Sequence, residues 1–151
     1  EEKWKEIVRV NRRTAVKTVL YGKDLYRILM DIFEAVAHDI FLIDIEEWSD
    51  VLMAVFSTRS YIERGMKMDR EAIAFLTRLI ERLQRRGVVR KDVDPYTAAF
   101  SIYSILAVVF MEMIFMQSGD KEDFMDTLGA RLRILTDGLK PAAEYREIGG
   151  E

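Results

Sequence analysis

The reactive side chains of this 151-residue chain are few, and their spacing limits what they can do. The single histidine, His38, follows Glu34 by four residues in a stretch whose apolar residues repeat at helical spacing. Residues four apart share a helix face, so the pair reads as a solvated ion pair in preference to a metal ligand or a general base. The acidic pairs Glu46-Glu47 and Asp92/Asp94 stand where helices should begin, and the helix dipole accounts for them there. No H-E-x-x-H, glycine-rich phosphate loop or G-x-S-x-G occurs. The chain has no cysteine, which removes disulfides and thiolate zinc sites. No catalytic, metal-ligating or cofactor-binding residue is nominated. The sequence predicts a protein that binds and does not catalyse.

What it could bind is suggested by eight methionines, eight phenylalanines, six tyrosines and two tryptophans. Phe33, Met53, Phe56, Tyr61, Phe75, Tyr103, Phe110 and Met111, with Met66, are candidates to line a pocket for a small hydrophobic effector. Methionine adapts its shape to varied ligands, although any one of these residues serves equally well as plain core. Glu112 is a lone charge in an apolar run and should meet an arginine, Arg78 or Arg82 first, a partner subunit or a cationic ligand.

The elements that would position these residues are helices, because every long stretch between glycines and prolines repeats at helical spacing and none alternates like a strand. Residues 4–20 form a first stripe, and residues 24–41 a cleaner one through Leu25, Ile28, Leu29, Ile32, Phe33, Val36, Ala37 and Ile40. A third helix should run from Glu46 to Arg64, with Trp48, Val51, Leu52, Val55, Phe56 and Ile62 inward, and stop at Gly65. Asp69 then reads as the N-cap of a helix ending in Arg82, Arg85, Arg86 and Gly87. Asp94-Pro95 opens the next helix, to about Gln117, and Lys121–Asp137 makes the last. The expected architecture is all-α, an orthogonal or antiparallel bundle of five to seven helices. Its parts are a connector helix over 1–22, a body over 23–140 and a polar tail over 141–151.

Residues 96–116 are apolar nearly all round, with Thr97, Ser101, Ser104 and Glu112 the only conventionally polar positions. Such a helix must be surrounded. Lipid fits the length but not Glu112 or the aspartates at both ends. Enclosure by a second copy of the chain is the preferred reading, with Ile80, Leu83, Ala99, Ile102, Leu106 and Met113 as interface candidates and no membrane partner.

Gly87-Val88-Val89-Arg90-Lys91-Asp92-Val93-Asp94-Pro95 followed by Ala98-Ala99 resembles the turn between two helices of the regulatory domain in TetR-type transcriptional repressors. The resemblance continues through the apolar helix, the Gly119-Asp120 break and the last amphipathic helix, over about residues 46–140. It implies a homodimer joined by a four-helix interface and an apolar effector pocket. It also implies DNA binding through a separate N-terminal helix-turn-helix head. No recognition helix precedes Tyr21, so residues 1–22 align with the connector below that head. A helical interaction or scaffold module without an effector is the alternative.

Composition agrees with a folded body. Half of the residues are hydrophobic and the net charge is −3, with seven basic and three acidic residues in the first 23. A net negative chain is not built to grip phosphates over its whole surface. The charged start, Glu1-Glu2-Lys3, lacks the apolar core of a signal peptide, and a cytoplasmic location is expected.

Overall fold

A computed structural model of the chain describes residues 24–141 apart from Ser118. The expected connector over 1–22 and nearly all of the tail lie outside the described residues. Those described form five helices and no strand: α1 Leu25–Ile40, α2 Ile45–Ser57, α3 Arg59–Arg85, α4 Pro95–Met116 and α5 Lys121–Gly138.

α1 starts where the Asp24 carboxylate accepts from the Arg27 amide at 2.9 Å. Its stripe of Leu25, Ile28, Leu29, Ile32, Phe33 and Ala37 is buried. Its end is tied to α2 by the Trp48 indole N–H, which donates to the Ile40 carbonyl at 2.8 Å and satisfies an acceptor the helix cannot. α1 lies against α5 with little room. A Cβ on Gly129 would come within 3.0 Å of the Tyr26 hydroxyl and 3.2 Å of Met30 Cε. Beside it the Arg133 guanidinium sits 3.5 Å above the Tyr26 ring, a cation–π contact. Glu34 pairs with Lys121 of α5, so its partner is not the expected His38.

The expected break at Gly65 is not found. The chain breaks at Thr58, whose backbone is extended (φ −133, ψ 126), and α3 then runs unbroken through Gly65 and Asp69. The reason is visible in the register. Ile62, Met66, Asp69, Ile73, Leu76, Ile80 and Leu83 follow one another at alternating spacings of four and three, a single stripe across the glycine. Gly65 costs about 1 kcal/mol relative to alanine inside a helix, less than interrupting such a stripe. Asp69 is therefore an interior residue of α3 and not an N-cap.

The turn after α3 is fixed by local hydrogen bonds. Val88 N donates to Leu83 O at 3.0 Å and Gly87 N to Gln84 O at 3.1 Å, the Schellman pattern, with Gly87 left-handed at φ 73. The Gln84 side-chain amide donates to the carbonyls of Arg90 and Val93 at 2.9 and 2.8 Å. Arg90 and Asp92 form a forked ion pair in which the guanidinium holds the Asp92 carboxyl below the usual carboxylate range. Asp94 caps α4, accepting from both the amide and the hydroxyl of Thr97 at 2.7 Å, and Pro95 supplies the first turn. These bonds, the hydroxyl's first, lower the Asp94 pKa as well. α5 begins with a reciprocal capping box between Asp120 and Asp123.

The core runs through the middle of the bundle, and α3 and α4 share its largest interface. Ile80, Leu83, Ile102, Leu128 and Leu132 are among its fully buried side chains. Ile80→Ala should lower unfolding stability by about 2–5 kcal/mol, the cost of an unfilled cavity. The adjacent exposed substitution Glu81→Ala should change it by less than about 0.5 kcal/mol. Chemical denaturation of the two variants checks the contrast.

Candidate functional site

Among the described residues, two regions that involve α4 are open to a partner or ligand. Helical spacing divides that helix into two arcs. Ala98, Ala99, Ile102, Val109, Met113 and Ile114 are buried on the inward arc. Phe100, Ser104, Val108, Met111 and Phe115 recur at spacings of four, four, three and four on the outward arc. There Phe100 and Val108 are each 50% exposed and Phe115 73% exposed. The Ser101 and Ser104 hydroxyls donate to Thr97 O and Phe100 O one turn back, so the polar residues of this arc are satisfied within the helix. α5 lies alongside, joined by the Glu112–Arg131 ion pair at 2.7 Å, and presents Ile134 at 79% exposure. Glu112 is thus half exposed and paired with α5, and neither Arg78 nor Arg82 meets it.

This phase corrects the expected interface. Ile80, Leu83, Ala99 and Ile102 are at most 1% exposed and Met113 is 7% exposed, all inside the chain's own core. Leu106 is half-buried against the same core. Apolarity all round α4 hid which arc faced inward. Over residues 70–85, α3 offers no apolar outer face either: Arg70, Glu71, Arg78, Glu81 and Arg85 are its exposed positions there.

The second region lies where α2, α3 and α4 meet. The α3 stripe is tightly packed from Ile73, 6% exposed, to Leu83, but opens at Met66, 53% exposed, and Ile62, 37% exposed. At the boundary the Tyr103 hydroxyl of α4 donates to the Asp69 carboxylate of α3. Both residues are half-buried. Two turns along α4, the Phe110 ring meets Trp48 of α2 edge-on, with centroids 5.3 Å apart. Burial, then the hydrogen bond to Asp69 and its charge, pushes the Tyr103 phenol well above the ordinary tyrosine value.

The expected pocket residues divide among these places. Tyr103 and Phe110 belong to the α2–α3–α4 region. Phe33 is buried in the core at 3% exposure, and Phe75 packs against that core. Met53 and Phe56, expected to line a pocket, are 70% and 61% exposed on α2. Val51, expected inward, is 42% exposed. Met111 belongs to the outward arc of α4. The Tyr61 side chain is outside the described residues. Asp69 and Trp48 were not among the candidates. Asp69 occupies an apolar register position of the α3 stripe, a signal legible only once α3 is continued through Gly65. Among the described residues no cluster of acidic and histidine side chains could hold a metal ion. α4 is long and apolar enough to cross a membrane, with a mean hydropathy of 2.1 over its best window.

Compared with known proteins, the chain matches no family model, no curated protein and no solved structure.

Tyr103 ionisation offers a direct check on the second region. A phenol with a raised folded pKa contributes stability that is complete below the ordinary value of about 10 and is lost as pH rises toward and through the folded value. In an alkaline titration followed by tyrosinate absorbance, a late phase should appear at unusually high pH. Tyr103→Phe should remove that late phase.

Proposed function

We propose that this chain is the effector-sensing and homodimerisation domain of a TetR-type transcriptional regulator in the cytoplasm. The observation that carries this reading is the outward arc of α4. A stripe of Phe100, Val108, Met111 and Phe115, continued by Ile134 of α5, is too apolar to be an ordinary wet surface. A second copy presenting the same face buries it by two-fold symmetry, α4 and α5 of each chain forming a four-helix seam. Ser104 on the α4 stripe and Thr127 and Ala130 on the exposed face of α5 are small enough to let helices approach closely. The Gly87–Pro95 turn supports the family reading, since its glycine, aspartates and proline each have a structural task. DNA recognition is assigned to a helix-turn-helix head on the N-terminal side of residue 1. The effector is assigned to the α2–α3–α4 region, where apolar side chains surround a few polar groups.

Sedimentation in detergent-free buffer should show a dimer at micromolar concentration. Val108→Arg and Phe115→Arg should give folded monomers, whereas Glu81→Arg on α3 should not. A wild-type monomer would overturn the dimer, and solubility only in detergent would favour a lipid-facing role for the stripe. For sensing, a broad thermal-shift screen of hydrophobic compounds, neutral and charged, is the test. A true effector at a hundredfold its dissociation constant adds about 2.7 kcal/mol of stability. No shift across the screen would favour a helical interaction module without an effector.

A further inference from the structure

The seam between α3 and α4 is apolar along its packed length, yet where it opens it holds a carboxylate. Asp69 stands at a register position that Ile73, Leu76 and Ile80 fill farther along α3. Among the described residues its only hydrogen-bond or ion-pair partner is the Tyr103 hydroxyl. A phenol brings one proton and no charge, so the anion is oriented but not neutralised. Half-buried charges are stabilised best by an opposite charge, and among the described residues no cation fills that role.

The surroundings are equally specific. The faces of Tyr103, Phe110 and Trp48 carry the negative side of an aromatic quadrupole, which attracts cations and repels anions. The exposed apolar residues of the opening, Ile62 and Met66 on α3, continue the stripe away from Asp69 toward solvent. The arrangement has a charged end and an apolar length.

We propose that Asp69 and Tyr103 form the recognition end of a site for a lipophilic organic cation, whose apolar body lies along Ile62, Met66 and the Trp48–Phe110 pair. This rests on the sensing reading above and names the chemical class of its effector. Asp69 supplies the countercharge and Tyr103 fixes the carboxylate's direction, while the aromatic rings farther along favour a cation over an anion.

Tetraphenylphosphonium and tetraphenylborate are nearly equal in size and shape and opposite in charge, so they isolate the claim. Calorimetric titration of the full chain should show the phosphonium binding at least tenfold more tightly than the borate. Asp69→Asn, its folding verified by circular dichroism, should collapse that ratio to near one, while Asp126→Asn on α5 should leave it intact. Should Asp69→Asn not fold, the assigned Asp69 carboxyl 13C resonance of the wild-type chain decides, moving with the phosphonium and not with the borate. Equal binding of the two ions, or a preference that survives Asp69→Asn, overturns the inference. So does failure of the phosphonium to bind. If neutral hydrophobic compounds still shift the melting transition in that case, the sensing reading stands without a cationic effector. If they do not, both fall together.

Discussion

The rest of the structure depends on the register between α3 and α4. Two apolar stripes, one repeating through Ile73, Leu76, Ile80 and Leu83 and the other through Ala99, Ile102 and Met113, must meet along several turns. That pairing fixes the phase of both helices, and with it every other exposure in the bundle. It makes α3 continue through Gly65, sends the charged face of α3 to solvent and turns the second apolar arc of α4 outward. It also brings Asp69 opposite Tyr103. The nine residues from Gly87 to Pro95 hold the pairing at one end, with Gln84 tying down two loop carbonyls.

The parts that were legible in the sequence are those decided locally. Asp24, Asp94 and Asp120 each precede a helix and each makes a capping hydrogen bond within three residues. The stripe of α1 is equally clear, because its opposite face is polar and periodicity needs that contrast. The dimer-interface candidates on α4 had no such contrast. On α4 both arcs are apolar, so spacing identified a helix but could not say that Ala99 and Ile102 face its own core while Phe100 and Val108 do not. The same limit applies to α2, whose second half, Val51 to Phe56, is apolar throughout, and there Met53 and Phe56 stand at the surface.

Asp69 shows a different kind of misreading. A polar residue after a glycine looks like the start of a helix, and that local rule is sound on average. It was overridden because one register runs through the glycine into the buried positions Ile73 to Leu83, and a glycine inside a helix costs only about 1 kcal/mol relative to alanine. Polar residues that survive in such a stripe are informative for this reason. Retaining one forgoes the packing of an apolar side chain, and Tyr103 offsets only part of that loss through a single hydrogen bond.

Gly87 sits at φ 73, and a Cβ built there would meet nothing within 4 Å. Space is therefore not what requires glycine. The requirement is handedness: the left-handed backbone strains an L-residue but suits its mirror image. A D-alanine placed at this position by chemical ligation would fit the native turn. It would also narrow the conformations open to the unfolded chain, so the substituted protein should melt higher than the natural one. The turn that ends α3 thus asks for a chirality, which glycine meets by having none.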